Sequence, residues 1–404
     1  MKKKSLLILL VCISLVVVYY GIHFFTTGSN RTADDGIFTK DTVFGSNNVK
    51  LRLKAIGLAN SKISKNFTTA LTEKTKLLLE NQSLQLDIEF IGLPESRNVP
   101  EIIAQIKESN LPTIIVFSPE VILTKDSHKH LIESQIPTFL FSSDAYAVCD
   151  GEILSHNIWN FGLPLKSFAE TYLSFVNQKY GQLAKDLDIF IYVNDDKKLL
   201  EHSAEFEKVI KGLGLKVDGK LIVDERQDDL YTTVRQVFDY DPRIIVGIMG
   251  RRGLQKFLSI SSRLSLTFDM GVSVIEGAFE EDLVDSGENS RAIIVPSAYV
   301  YGASELSGDY KITTSMYQGL LVGGFLEKFF FRGLGDDVTF ENINEKIETL
   351  DGVRYEGLSG LATFDSKTHG LIQPIHVGEF KEGRLNHVQY LGDVSLAANE
   401  MCVY

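Results

Sequence analysis

Apolar positions along this chain change period in a regular way, and the change is clearest between Asp188 and Gly250. Ile189, Phe190, Ile191, Tyr192 and Val193 form an apolar run too short for a helix, closed by the turn residues Asn194, Asp195 and Asp196. Leu199, Phe206, Val209, Ile210 and Leu213 then recur at three- and four-residue spacing, which puts them on one face of a helix. Gly212 and Gly214 stand where a helix C-terminus favours glycine. Lys220–Val223 reads as a strand, and Tyr231, Val234, Val237 and Phe238 mark another helix face, broken at Asp241-Pro242. Ile244–Met249 is continuously apolar, as a central strand buried on both faces requires. Strands alternating with helices in this way build a parallel sheet with right-handed crossovers, so the fold class is α/β.

The same rhythm precedes this stretch. Strands are predicted at Lys50–Leu58, Leu86–Ile91, Thr113–Phe117 and Thr138–Phe141, and helices over Phe67–Leu78, Val99–Ser109 and Lys125–Glu133, the first capped by Ser64. Tyr146–Asn160 has no clear period and carries the only tryptophan, Trp159; it reads as a passage into a second lobe that opens with a helix at Ser167–Tyr180. Beyond Gly250 the pattern gives a helix at Leu254–Ser262 and strands at Val272–Ile275 and Ala292–Val295. A long apolar helix follows at 309–331, whose Gly319, Gly323 and Gly324 permit close packing, and then a short helix at Phe340–Leu350. A hairpin of Leu371–Phe380 with Leu385–Tyr390 closes the chain. The two αβ runs on either side of residue 150 form an architectural repeat without evident sequence identity.

At the N-terminus, Lys2, Lys3 and Lys4 precede an apolar run from Leu6 to Phe25. Roughly 20 residues span a bilayer as a helix. Lysines before the run hold that end in the cytoplasm and send the rest outward. The length favours an uncleaved anchor over a cleaved signal peptide, whose core is about 7–15 residues. The predicted location is therefore extracytoplasmic, tethered to the inner membrane by residues 6–25, with a polar stretch at 26–44 as a short tether.

Composition narrows the partners rather than the fold. The 404 residues carry a formal net charge of -12, which argues against nucleic acid and against an anionic membrane surface, since both need a basic face. Three cysteines, Cys12, Cys149 and Cys402, show no zinc-like spacing; a bond between Cys149 and Cys402 stays open if the chain is exported.

The catalytic motifs that the chain approaches fail on spacing or placement. In Gly357-Leu358-Ser359-Gly360 the second glycine comes one residue early for a nucleophile elbow. Gly212-Leu213-Gly214 lacks the third glycine of a dinucleotide fingerprint and sits at a helix end. His128 and His130 lie two apart on a predicted helix and face different ways. Asp224–Asp229 lacks the glycine and terminal glutamate of a calcium loop. No cofactor or metal is expected, and no catalytic residue.

What stands out instead is polarity at the C-terminal ends of predicted strands, where open αβ sheets bind ligands. Ser118, Ser142 and Ser143 hold such places in the first run; Asn194, Asp195, Gly250, Arg251 and Glu276 do so in the second. Each is also an ordinary turn or cap residue, so only the set, placed around one cleft between two lobes, points to a ligand site.

Three segments carry a resemblance. The first is the strand Ile189–Val193 with its helix, followed by Gly214–Val217, Asp228–Val234 and Asp241–Val246. The second is Ser315–Leu320, and the third Tyr355–Asp365 with Val377–Arg384. In this order they resemble the type I periplasmic binding proteins, the receptors for branched-chain amino acids, urea and amides, over roughly residues 45–392. The resemblance implies two Rossmann-like lobes, 45–148 with 302–352 and 155–298 with 356–404, after an N-terminal segment of residues 1–30. It implies three hinge crossovers near 146–160, 298–304 and 351–358, and ligand capture by lobe closure without chemistry. Family receptors hold the ligand's carboxylate, amine or amide with hydroxyls and main chain after the third and fourth strands, positions that match Ser118, Ser142 and Ser143; Glu276 would meet an amine from the second lobe. The family's glycine-rich stretch and aspartate near the second strand are missing, and Leu199-Leu200 replaces the usual tyrosine-glycine. The reading is thus a solute receptor serving an ABC-type permease. A membrane-anchored sensor handing its signal to a kinase or cyclase is the alternative, and an enzyme is disfavoured.

Overall fold

The computed structural model describes residues 49–79, 84–93, 99–108, 111–121, 123–142, 145–151, 153–163, 165–180, 189–224, 226, 230–240, 242, 244–264, 269–273, 293–297, 312–332, 338–357, 360–381, 384–394 and 402. The predicted anchor at Leu6–Phe25 lies outside them. Among the described residues no helix is long and apolar enough to cross a membrane.

The first run contains β1 (Val49–Leu58), α1 (Lys62–Leu79), β2 (Leu84–Leu93), α2 (Val99–Glu108), β3 (Thr113–Phe117), α3 (Lys125–Ser134) and β4 (Thr138–Leu140). Where the sequence showed no period, a short ribbon of β5 (Cys149–Asp150) and β6 (Ile153–Leu154) leads into β7 (Ile158–Asn160). The second run contains α4 (Leu165–Tyr180), β8 (Ile189–Asn194), α5 (Lys197–Gly212), β9 (Val217–Val223), α6 (Tyr231–Asp239), β10 (Ile244–Ile248), α7 (Arg251–Arg263), β11 (Asp269–Ser273) and β12 (Ile293–Ser297). Then come α8 (Thr314–Arg332), α9 (Ile343–Glu348), β13 (Arg354–Gly357), β14 (Gly360–Asp365), β15 (Gly370–Lys381) and β16 (Arg384–Val394).

Strand order turns the suspected repeat into a structural one. Parallel pairing gives β2-β1-β3-β4-β7 in the first half and β9-β8-β10-β11-β12 in the second, the same doubly wound order twice. β15 joins them. Its first residue, Gly370, pairs with Asn160 of β7, and His376–Phe380 run antiparallel to β12. Every residue of β3, β8 and β10 is buried, because helices cover both faces, which is why these strands read as unbroken apolar runs. Alternation along β1 still sorts the two faces. Leu51, Leu53 and Ala55 enter a core with Phe67, Phe139, Trp159, Phe325 and Phe364, while Ile56 enters the opposite core with Ile102, Ile103, Phe117 and Leu131.

Three sequence expectations are corrected here. Ser64 is not the cap of α1 but its third residue; Ser61 precedes the helix, and its Oγ accepts from Ser64 N at 3.4 Å. The strand expected at Val272–Ile275 is β11, shifted to Asp269–Ser273. The crossover expected near 351–358 falls elsewhere: β13 pairs with β14, β14 pairs with the start of β15, and Ala362 and Phe364 belong to the first core, so the return runs along β15.

α8 lies against α1 across its glycines. A Cβ on Gly319 would run into the carbonyl oxygen of Phe67, and one on Gly323 into Lys74, whose ammonium pairs with Glu327 at 2.7 Å. Cys149 and Cys402 are joined in a disulfide that seats the chain's end in the first half's outer core, beside Val148 and Ile158.

Behind β7, the Trp159 ring stacks on His369 with centroids 3.8 Å apart. Burial holds the His369 imidazole down at about 4, against an ordinary value of 6.5, although its Nδ1 lies 3.1 Å from the Ile158 carbonyl. The unfolded chain therefore takes up this proton first as pH falls, so stability should decline between about pH 6.5 and about pH 4. Urea unfolding across that window should show the decline, and His369→Gln should flatten it. An equally steep decline in the variant would assign it elsewhere.

Candidate functional site

In a doubly wound sheet the order reverses once in each half, and there the connections leave to opposite faces and open a crevice at the carboxyl ends of two neighbouring strands. Here the reversals fall between β1 and β3 and between β8 and β10.

At the first, the space is filled by the chain itself. Glu120, just beyond β3, is 4% exposed. Its Oε2 accepts from Ser61 Oγ at 2.6 Å, and its Oε1 accepts from Ser64 N at 3.1 Å and from Ser64 Oγ. A carboxylate on the open amides of a helix N-terminus is favoured both by the hydrogen bonds and by the helix dipole. Ser64 Oγ in turn accepts from Leu58 N at 2.9 Å and lies 3.1 Å from Ser118 Oγ. Ser118, expected with its hydroxyl at an open edge, is instead 1% exposed and tied into this network. Ser61 carries a readable signal, a serine just before an apolar-periodic helix. Glu120 carries none, because its partners lie 56 and 59 residues away.

After β4, Ser142 is half-buried and its main chain is fully engaged. Its N–H donates to Asn160 Oδ1 and its carbonyl accepts from Asn160 Nδ2, both at 2.9 Å. Gly162 N also donates to Asn160 Oδ1 at 2.9 Å, and a Cβ on Gly162 would stand 2.5 Å from both the nitrogen and the oxygen of Ser142. Gln373 of β15 reaches the same turn, its Nε2 donating to Phe161 O at 3.2 Å. Ser143 lies outside the described residues.

The second reversal is different in kind. Asn194 ends β8, is 1% exposed, and accepts from Gly250 N at 3.2 Å through Oδ1; its Nδ2 is buried and has no partner. Gly250 in turn accepts from Leu254 N at 2.9 Å, the first bond of α7. A Cβ on Gly253 would overlap the Asn194 amide, so a side chain there would displace it. Arg251 is the first residue of α7, and Arg252 beside it is exposed. Asp196 is engaged nearby, its Oδ1 accepting from Leu199 N at 3.3 Å to cap α5. The structure thus brings Asn194, Gly250 and the start of α7 together. Glu276 lies outside the described residues.

His128 and His130 do not converge: His128 Nε2 lies 2.7 Å from Ala147 O, and His130 Nδ1 lies 2.8 Å from Asp126 O. Among the described residues no group of histidine, cysteine or acidic side chains could hold a metal ion.

No protein-family model matches this sequence, and no curated protein matches it. Solved structures do. A leucine-binding protein, LivK, from Thermotoga maritima superposes with a TM-score of 0.66 at 14% identity, over 85% of this chain and 99% of that one. An ABC-transporter substrate-binding protein from Sphaerobacter thermophilus gives 0.67 at 12% identity, over 85% and 98%. A solute-binding protein of an ABC transporter from Rhodopseudomonas palustris HaA2, in complex with p-hydroxybenzoic acid, gives 0.63 at 12% identity, over 85% and 97%. The repeated strand order, the shared β15 and these superpositions together give the chain the type I periplasmic-binding-protein fold.

Proposed function

We propose that this protein is an extracytoplasmic receptor that captures a small polar solute between its two halves and presents it to an ABC-type permease. The observation that carries the proposal is the repeat itself: two doubly wound halves, each with polar groups at its switch point, whose sheets meet at the shared strand β15. Such an arrangement suits hinge closure around a ligand. The solute-binding roles of the similar structures support the transport reading, and a disulfide supports an oxidising compartment. The expected solute is an amino acid, an amide or a relative of urea. The chain's own task is binding without turnover.

A thermal-shift screen of such solutes, with mass spectrometry of whatever co-purifies, should supply a ligand. Small-angle scattering should then show a smaller radius of gyration with ligand than without. An unchanged radius, with binding established independently, would count against closure, and turnover of the bound solute would replace the receptor reading with an enzyme.

A further inference from the structure

The two switch points differ in charge, and the difference says which way round a ligand lies. In the first half the buried Glu120 carboxylate stands against the first turn of α1, accepting from Ser64 N and from the hydroxyls of Ser61 and Ser64. A ligand carboxylate arriving there would meet a like charge rather than open donors. In the second half the first intrahelical bond of α7 runs from Leu254 to Gly250, so the amides of residues 251–253 have no acceptor within the helix. The first turn of α7 holds no acidic residue and begins with two arginines, Arg251 and Arg252. Cations at a helix N-terminus oppose the helix dipole, a placement that an anionic partner would relieve. The independent sign of a missing partner is Asn194, whose Nδ2 is a buried donor without an acceptor, held against the first turn of α7 by the bond from Gly250 N to its Oδ1. A buried unsatisfied amide is costly unless something completes it.

We infer that the ligand is a small organic acid whose carboxylate seats on the N-terminus of α7, accepting from the first-turn amides and from Asn194 Nδ2 with Arg252 alongside. This rests on the receptor reading and deepens it: within the expected solutes it selects those with a free carboxylate over neutral amides and urea, and it turns the carboxylate toward the second half.

The test uses full-length protein with glycine-selective isotope labelling, titrated with two matched pairs, benzoate against benzamide and leucine against leucinamide. A carboxylate should shift the Gly250 and Gly253 amide signals saturably, and its amide should bind at least tenfold more weakly. Arg252→Glu should weaken the acid by tenfold or more, whereas Glu120→Gln should leave its affinity within about twofold. Asn194→Leu removes the donor directly; because it also disturbs α7, Arg252→Glu at an exposed position carries the decision if that variant fails to fold. An amide that binds as tightly as its acid, or an acid indifferent to Arg252→Glu, overturns the carboxylate assignment and leaves the receptor reading in place. If no acid shifts either glycine and no solute in the thermal-shift screen binds, both fall.

Discussion

Replacing Gly319 with valine should destabilise the protein by about 3 kcal/mol, the upper end of what overpacking a filled interface costs. The new methyls have nowhere to go. The atom in the way is the carbonyl oxygen of Phe67, part of the backbone of α1, with Leu71 N and the Ala70 methyl close behind. A flexible side chain could swing aside; a helix backbone moves only by pushing α1 and α8 apart. That separation would also loosen Phe67, Leu71, Tyr317 and Phe325, which share the first core. The control is Gly212→Ala, where a Cβ meets nothing within 4 Å and helix propensity favours alanine by up to about 1 kcal/mol. Urea unfolding should separate the pair clearly. Equal stability for Gly319→Val and the parent would mean that the two helices do not pack through this glycine.

Opening the Cys149–Cys402 bond should cost about 2–4 kcal/mol. The two cysteines are 253 residues apart, so the cross-link restricts most of the unfolded chain. For a chain of this size, that loss lowers the melting temperature by roughly 3–5 °C. Melts with and without reductant, and of the double serine variant, should agree with each other and lie below the oxidised parent. Identical melts, with free thiols counted by alkylation in the untreated protein, would show that the bond does not form.

Much of this architecture is legible in the sequence, for identifiable reasons. β8 and β10 announce themselves because burial on both faces makes Ile189–Val193 and Ile244–Ile248 continuously apolar. The helix at 197–212 is read from Leu199, Phe206 and Ile210, all buried at the predicted spacing. The packing glycines of α8 are readable because glycine in a helix interior is otherwise a penalty. What escapes is whatever depends on distant pairing. β13 and β14 join the first half through Tyr355, Ala362, Phe364 and the start of β15. Glu120 looks like a turn residue until α1 is placed beside it. Of the strand-end residues, Asn194 and Gly250 meet as neighbours, whereas Ser118 is drawn inward by Ser64.

The disulfide has a mechanical consequence beyond stability. β16 pairs with the far part of β15 and runs back along it as far as Gln373, and the cross-link then holds Cys402 in the first half's outer core. Among the described residues the chain passes between the halves after Asn160 and along β15. The disulfide adds a further tie, and it is one that reductant can cut. The protein thus carries a stay whose tension depends on redox state. In the proposed receptor the oxidised bond should narrow the swing of one half against the other; once it is reduced, the halves should sample a wider range of openings and hold a captured solute for a shorter time.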